Sequence, residues 1–233
     1  GLANVGIDAF VRDKIPFLEE QKTKIIVNVA GSTLQEYIEV CSVLADFERV
    51  DMIELNISCP NVQSGGIEFG ADPTMTEKMV AEVKRVFPRP IIAKLGPMVT
   101  SITAIALAAQ QGGADALSIM NSAYGTAIDI ETWQPRLTFN RGGLTGPAIK
   151  PIALAMVDAV YQKCKLPIIG IGGVTTAEDA VEFFLVGASA VQVGTALFVQ
   201  PDAPVRIVDG LKEYMKRRKL ATIADMVGKV RKW

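Results

Sequence analysis

The stretch Ile53-Glu54-Leu55-Asn56-Ile57-Ser58-Cys59-Pro60-Asn61 joins a predicted strand to a predicted site, and it decides the fold and the chemistry that we expect. Its apolar half predicts a buried strand. The strand end presents the Cys59 thiol between the carboxamides of Asn56 and Asn61, and a glycine-bearing loop follows at residues 62–66. The chain contains no histidine, so acid–base chemistry near neutral pH falls to Cys, a carboxylate, Lys or Tyr. Cys59 is therefore the candidate catalytic residue, with a buried structural cysteine as the alternative.

Short apolar runs recur along the chain, and helical patterns lie between them. The runs are nearly continuous rather than alternating, which is typical of strands buried on both faces of a parallel sheet. The predicted strands cover residues 25–29, 52–57, 91–95, 116–120, 167–172 and 190–194, and the predicted helices cover residues 33–44, 75–87, 101–111, 151–163 and 176–186. We expect Ser32 to cap the first of these helices and Asp72 with Pro73 to begin the second. The long segment without this pattern, residues 121–150, is expected to be a functional loop.

The alternation of strand and helix predicts a parallel α/β architecture with right-handed crossovers. We expect a TIM (β/α)8 barrel, of which about six of the eight strands are visible in this chain. Polar side chains at the ends of successive strands, Asn28, Asn56, Lys94 and Asn121, favour the barrel over a doubly wound open sheet. The first βα turn also lacks a G-x-G-x-x-G fingerprint. Because the chain opens at Gly1 without Met, we expect the first strands of the barrel to be missing.

Composition limits the class of protein. Apolar residues make up 49% and charged residues 21% of the sequence, which predicts a sizeable core, and we expect residues 1–233 to form a single domain. A net charge of -1 gives no general attraction to nucleic acid. The basic run at residues 212–219 is expected to be a solvated helix face. The three cysteines show no metal-type spacing, and no apolar run is long enough to span a membrane, so we expect a cytoplasmic protein.

Two glycine turns follow the last two predicted strands. They are residues 170–175 (GIGGVT) and Gly194-Thr195-Ala196. In barrels, the loops after the seventh and eighth strands commonly bind phosphate through backbone N–H groups, because glycine lets the backbone approach the oxygens. Residues 142–147 (GGLTGP) could add further donors. The alternative for each turn is a purely steric role at a strand end.

Lys94 lies alone in an apolar strand, where an unpaired ammonium would be costly to bury. We therefore expect it to face a ligand or to form an ion pair with Glu54. Asn28 and Asn56 offer both donors and acceptors, as a flavin or pyrimidine edge requires, although buried asparagines also satisfy backbone groups. Cys41 and Cys164, both on helical patterns, are interpreted as structural.

Several of these motifs, in this order, resemble one family, the flavin-dependent dihydroorotate dehydrogenases of pyrimidine synthesis. The resemblance covers essentially the whole chain, from Gly1-Leu2-Ala3-Asn4 to Gly194-Thr195-Ala196, and it includes Asn28-Val29-Ala30-Gly31, Asn56 to Asn61, Ala93-Lys94-Leu95, Asn121-Ser122 and residues 142–151. A cysteine at position 59 is similar to the soluble class 1 enzymes. The loop at residues 62–70 (VQSGGIEFG) resembles that of the class 1B catalytic subunits rather than class 1A.

The resemblance implies FMN across the barrel mouth. Its phosphate would be held by Gly172, Gly173, Gly194 and Thr195, with Gly146 nearby. Lys94 would neutralise charge that develops near N1 of the reduced flavin. Asn28, Asn56 and Met120 would also contact the flavin, Met120 through its backbone.

The resemblance also implies the substrate, dihydroorotate, which would meet Asn56, Asn121 and Ser122, with Gly1 and Leu2 near the edge of the pocket. Cys59 would take the proton from C5 while hydride leaves C6 for flavin N5. Electrons would pass to NAD through a partner subunit that carries FAD and an iron–sulfur cluster. The implied assembly is a homodimer or a heterotetramer with that subunit, with no metal ion in this chain, no nucleic acid and no membrane.

Three alternatives stay open at this point. A related flavin barrel could act on another dihydropyrimidine, as the dihydropyrimidine dehydrogenases do, although those usually carry His where this chain has Asn61. A class 1A enzyme would use fumarate as its oxidant. A non-catalytic barrel would use its glycine loops for structure alone.

Overall fold

The protein is described by a computed structural model at residues 4–58 and 66–233, without the side chains of residues 66–68. The described strands are β1 (Ile26–Val29), β2 (Met52–Asn56), β3 (Ile91–Leu95), β4 (Ala116–Ile119), β5 (Ala123–Gly125), β6 (Ile128–Asp129), β7 (Gln134–Pro135), β8 (Gly142–Leu144), β9 (Ile168–Ile171) and β10 (Ala190–Gln192). The described α-helices are α1 (Ile7–Asp13), α2 (Ile15–Glu19), α3 (Leu34–Ala45), α4 (Gly66–Ala71), α5 (Pro73–Val86), α6 (Ile102–Gln111), α7 (Lys150–Tyr161), α8 (Ala177–Leu185), α9 (Ala196–Val199) and α10 (Ala203–Arg218). Two 3-10 turns, Pro147–Ile149 and Ile223–Met226, complete the described elements.

The main sheet is a curled, parallel, six-stranded half-barrel. Its strand order is β1-β2-β3-β4-β9-β10, and every neighbouring pair is parallel. Helices α3, α5, α6, α7 and α8 pack around it, as right-handed strand–helix–strand units require. The partial barrel predicted from the sequence is therefore confirmed, and each predicted strand overlaps an observed one.

Helix caps follow the expected side-chain chemistry with one correction. The Asp72 side chain accepts a hydrogen bond from the Met75 N–H at 2.8 Å and begins α5, as predicted. For α3, the predicted cap Ser32 is wrong. Thr33 is the cap, because its hydroxyl accepts a hydrogen bond from the Glu36 N–H at 3.2 Å. Both residues are good N-caps, and only the path of the chain decides between them.

The segment at residues 121–150, expected to be a loop, contains four short strands. β5 pairs with β8, and β6 pairs with β7, both antiparallel. Strands of two or three residues are too short to show an alternating pattern, so periodicity could not reveal them. They form a small hairpin module beside the carboxyl ends of the main strands.

The core lies between the sheet and its helices. Tyr37, Phe87 and Phe183 are fully buried there. A Cβ on Gly170 of β9 would collide with the Phe183 ring, so glycine lets α8 pack closely on the sheet. Along β2 the period of two places Ile53 and Leu55 on one face and Glu54 and Asn56 on the other, which is the interior face of the half-barrel.

The basic run at residues 212–219 lies on α10 and just beyond its end. Lys216, Arg217 and Arg218 occupy the last turn, where cations interact favourably with the helix dipole. Among the residues that the structure describes, no helix is both long and apolar enough to cross a membrane.

Candidate active site

A cleft of about 180 Å³ opens at the carboxyl ends of β3, β4, β9 and β10. Parallel strands present their functional residues at this end of a barrel. The cleft is lined by Lys94, Met120, Asn121, Ser122, Thr145, Gly146, Ile149, Ile171, Gly172, Gly173, Val174, Thr175, Gln192, Gly194, Thr195 and Ala196. Nine residues of the predicted site are thus together in one cleft: Lys94, Met120, Asn121, Ser122, Gly146, Gly172, Gly173, Gly194 and Thr195.

Three glycine turns meet on one wall of the cleft. Gly172 and Gly173 have φ angles of 121° and 77°, which side chains rarely adopt. A Cβ on Gly173 would lie 2.8 Å from the Lys150 Cβ and 2.9 Å from the Gly146 carbonyl oxygen. A Cβ on Gly194, by contrast, would meet no protein atom within 4 Å. The close contacts at Gly173 show that its loop packs tightly against the Gly146 loop. The absence of contacts at Gly194 leaves open space beside its backbone.

A chain of amides crosses from β2 to β4. The Asn121 amide nitrogen donates to the Asn56 side-chain oxygen at 2.8 Å and to the Ser58 carbonyl at 3.2 Å. The Ser122 N–H donates to the Asn121 side-chain oxygen at 2.8 Å. Asn56 is itself fixed, since its backbone carbonyl accepts from the buried Tyr37 hydroxyl at 2.8 Å. Asn56 thus lies behind Asn121 and does not line the cleft.

Met120 follows β4 directly, and its side chain is almost fully buried. Its N–H donates to the Ile171 carbonyl at 3.0 Å, and the Asn121 N–H donates to the Leu95 carbonyl at 2.8 Å. These two bonds extend the strand ladder past the end of β4. Met120 therefore lines the cleft from a position where the whole residue is almost fully buried.

Glu54 forms the centre of a polar cluster inside the half-barrel. Its side chain is only 5% exposed. One carboxylate oxygen accepts from the Asn28 amide at 2.6 Å, and the other accepts from the Gln192 amide at 2.7 Å. The Lys94 ammonium lies 3.8 Å from the first oxygen. The predicted Lys94–Glu54 ion pair is therefore present at long range, and Lys94 also lines the cleft.

The structure separates Asn28 from the cleft and adds Gln192 to it. Asn28 is exposed on the edge strand β1 and contacts Glu54 instead. Gln192 was missed in the sequence, although its signal was the same as that of Lys94: one polar side chain at an inward position of an apolar strand. Its partner Glu54 is 138 residues away, so the contact itself had no local signal.

Three predicted site residues, Gly1, Leu2 and Cys59, lie outside the described residues. Ser58, immediately before Cys59, is held by two strands: its hydroxyl donates to the Lys94 carbonyl at 2.9 Å, and its carbonyl accepts from Asn121.

The other two cysteines are buried, as a structural role requires. Burial raises the pKa of the Cys41 thiol to about 12. The Cys164 sulfur lies 3.3 Å from the Gln110 side-chain oxygen, between α6 and the end of α7. Neither lines the cleft. No group of three or more His, Cys, Asp or Glu side chains in the described part of the chain could hold a metal ion.

The cleft suits a flavin that carries a phosphate. Open backbone at Gly194 and the tight glycine loop offer N–H groups where no Cβ interferes. Amide and ammonium groups at Asn121 and Lys94 can meet the polar edge of a ring system.

A parallel (β/α) half-barrel with a glycine-lined cleft at the carboxyl ends of its strands is typical of barrel enzymes, which frequently bind phosphate groups at that end. The comparisons with known proteins name the family. The family model described as "Dihydroorotate dehydrogenase" matches residues 1–215, and the chain belongs to that family of oxidoreductases, which depend in general on a flavin.

Relatives with curated names support this membership. The "Dihydroorotate dehydrogenase B (NAD(+)), catalytic subunit" of Alkaliphilus oremlandii (strain OhILAs) is 49% identical over 230 residues, covering 99% of this chain and 76% of the relative. The protein of the same name from Alkaliphilus metalliredigens (strain QYMF) is 50% identical over 228 residues, covering 98% of this chain and 75% of the relative. The protein of the same name from Caldicellulosiruptor bescii (strain ATCC BAA-1888 / DSM 6725 / KCTC 15123 / Z-1320) is 46% identical over 230 residues, covering 99% of this chain and 76% of the relative.

Proposed function

We propose that this chain oxidises dihydroorotate to orotate with FMN as its cofactor, as a single flavin-binding domain. The observation that carries the proposal is the cleft itself. It combines Lys94, Asn121 and three glycine turns at one end of the half-barrel, in a chain that belongs to the dihydroorotate dehydrogenase family.

The glycine wall is the proposed phosphate site. Backbone N–H groups of Gly172, Gly173, Gly194 and Thr195 would bind the phosphate oxygens, with Gly146 beside them. FMN, when bound, supplies a two-electron acceptor for the hydride that leaves the substrate. Lys94 would lie against the flavin ring and offset the negative charge that reduction places there.

Met120 is the proposed neighbour of the flavin ring, and Asn28 and Asn56 lie one contact further from it. Met120 lines the cleft, and we propose that it contacts the ring through its main chain. Asn28 and Asn56 act in this proposal through what they hold: Asn28 binds Glu54 beside Lys94, and Asn56 binds Asn121.

Substrate orientation is assigned to the amide chain. Asn121 and Ser122 line the cleft, and Asn56 fixes Asn121 from behind. These groups would meet the carbonyls and N–H groups of the dihydropyrimidine ring, with Gly1 and Leu2 proposed at the edge of the pocket. Cys59 would remove the C5 proton as a thiolate. The fixed position of Ser58, bonded to β3 and to Asn121, supports a base at the next residue.

The electron acceptor is proposed from the relatives. They are named NAD(+)-dependent catalytic subunits, which supports transfer to NAD through a partner subunit, in which we place FAD and an iron–sulfur cluster. We propose a homodimer of catalytic chains, or a heterotetramer that includes the partner, working in the cytoplasm.

The test is an anaerobic half-reaction. The purified chain is loaded with FMN and mixed with dihydroorotate while the visible flavin absorbance is followed, with dihydrouracil and dihydrothymine as matched controls. Bleaching by dihydroorotate alone is expected. A bound flavin that stays oxidised would exclude this substrate, and bleaching only by a control compound would identify a different dihydropyrimidine enzyme. A chain that binds no FMN would contradict the proposed cofactor.

A further inference from the structure

One carboxylate, Asp179, connects two of the loops that form the glycine wall. One of its oxygens accepts from the Lys150 ammonium at 2.6 Å. The other accepts from the Thr175 N–H at 2.9 Å, the Thr175 hydroxyl at 2.6 Å and the Thr176 N–H at 2.9 Å. Asp179 is only 8% exposed. A single buried side chain therefore binds both the loop just before its own helix and a lysine that lies 29 positions earlier in the sequence.

The two loops that it joins both line the cleft. Lys150 begins α7, directly after the turn that contains Gly146. Thr175 ends the loop that contains Gly172 and Gly173. The loops touch at Gly173, where an added Cβ would lie 2.8 Å from the Lys150 Cβ. The Lys150–Asp179 pair therefore lies where the Gly146 loop meets the Gly172–Gly173 loop, and it joins these two parts of the glycine wall.

The charges of this cluster are well matched. Burial alone raises the pKa of the Asp179 carboxyl, but the Lys150 ammonium and the Thr175 and Thr176 donors outweigh burial and hold that pKa well below its ordinary value. The hydrogen bond from Lys150 to Asp179 in turn raises the pKa of the ammonium. Both groups are therefore charged at neutral pH, and the bond between them is charge-assisted.

Helix capping explains only part of this arrangement. Thr176 and Asp179 form a capping box at the start of α8. That role accounts for the bond from the Thr176 N–H, but it needs neither the bonds from Thr175 nor a lysine from another helix. Glu182 also contacts the Lys150 ammonium, at 3.0 Å, but its side chain is 46% exposed. An exposed partner of this kind contributes little. Lys150 and Asp179 are the specific pair.

We propose that the Lys150–Asp179 pair is a positioning device for the phosphate of the cofactor, which holds the Gly146 and Gly172–Gly173 loops at the separation that phosphate binding needs. This inference rests on the proposed function, because it takes a phosphate-bearing flavin as the ligand. Neither side chain acts as a catalytic residue. Each acts through the backbone donors of the loop that it holds.

The experiment compares two flavins that differ in phosphate alone. Dissociation constants for FMN and riboflavin are measured on the full chain by flavin fluorescence, for wild type, Lys150→Met and Asp179→Asn. The methionine keeps the stem of the lysine and removes its charge. We expect both variants to weaken FMN on the order of tenfold, as loss of a supporting partner commonly does to a bound ligand, with riboflavin affinity unchanged. Glu182→Gln is the matched control and should leave both affinities unchanged.

Any other result for the two variants overturns the inference. Equal weakening of FMN and riboflavin would assign the pair to general stability of the barrel, and unchanged FMN affinity would remove it from the site. If Lys150→Met does not fold, the ratio of the FMN and riboflavin dissociation constants of Asp179→Asn decides. If neither variant folds, the pair is needed for the fold and not specifically for the phosphate. Wild-type chain that binds neither flavin would refute the proposed cofactor as well. Wild-type chain that binds FMN but leaves dihydroorotate unoxidised would refute the proposed reaction while the FMN-to-riboflavin ratio still tests the pair.

Discussion

Replacement of Gly173 by alanine, compared with the same replacement at Gly194, separates the structural role of the glycine wall from its binding role. Both residues line the cleft. Gly173 has a φ of 77°, and its added Cβ would approach the Lys150 Cβ at 2.8 Å and the Gly146 carbonyl oxygen at 2.9 Å. Gly194 has no φ in the left-handed region, and its added Cβ would meet no protein atom within 4 Å. The two substitutions are chemically identical and sterically opposite.

The cost at Gly173 can be worked from these contacts. An alanine in the left-handed region costs about 1–2 kcal/mol. Approaches below 3.0 Å to backbone and to a Cβ force the Lys150 segment to move, and such overpacking typically costs about 1–3 kcal/mol. We therefore expect Gly173→Ala to lower the free energy of unfolding by about 2–5 kcal/mol. Gly194→Ala should change the free energy of unfolding little, or raise it by about 0.4–1 kcal/mol, because alanine lowers the conformational entropy of the unfolded chain.

The assay is urea unfolding of both variants, followed by FMN titration. Gly173→Ala should shift the unfolding midpoint to lower urea with an unchanged slope. Gly194→Ala should have an unchanged or slightly higher urea midpoint. It should nevertheless bind FMN more weakly, because its methyl group would occupy space assigned to the phosphate. A Gly173→Ala protein as stable as wild type would refute the steric argument, and undiminished FMN affinity in Gly194→Ala would move the phosphate elsewhere.

Three further predictions concern single side chains. Cys59→Ala should keep FMN bound but slow flavin reduction by dihydroorotate by roughly 10²–10⁴-fold, as removal of a general base does; stopped-flow rates equal to wild type would exclude Cys59 as the base. Lys94→Ala should weaken FMN binding and slow flavin reduction together, and unchanged values for both would remove Lys94 from the site. The Cys41 thiol should resist a thiol reagent in the folded protein and react once urea exposes it. The folded pKa of the Cys41 thiol, about 12, lies above the unfolded value of about 8.5. The thiol's contribution to stability is therefore complete below pH 8.5 and is lost as the pH rises toward 12. Cys41→Ala should reduce the alkaline fall in the free energy of unfolding, and an unaltered fall would contradict this.

The sequence predicted the main sheet well because buried parallel strands leave a strong signal. All six strands of the half-barrel were anticipated, since each is a short, mainly apolar run with a polar or glycine residue at or near its carboxyl end. The short helices α1 and α2 and the hairpin strands β5 to β8 were not. Elements this short depend on packing against neighbours, and their local pattern is too brief to distinguish them from a loop.

The candidate site was predictable where its residues follow strand ends. The carboxyl ends of parallel strands meet at one edge, so Lys94, Asn121 and the two glycine turns had to be neighbours. Long-range partners could not be predicted in this way. Asp179 and Lys150 belong to different helices, and each looks like an ordinary surface charge in the sequence. The packing of α7 against α8, on either side of β9 in the sequence, brings them together at the glycine wall.

Lys94 shows how two alternatives from the sequence combine in one structure. A buried lysine was expected either to face a ligand or to pair with Glu54. The carboxylate oxygens of Glu54 already accept short hydrogen bonds from Asn28 and Gln192, and the Lys94 ammonium stands 3.8 Å away. The carboxylate therefore offsets the charge of the ammonium without taking its hydrogen bonds, and the described residues offer that ammonium no other carboxylate. Lys94 also lines the cleft, so the ion pair with Glu54 lowers the cost of placing the ammonium inside an apolar strand, where we propose that it meets a ligand.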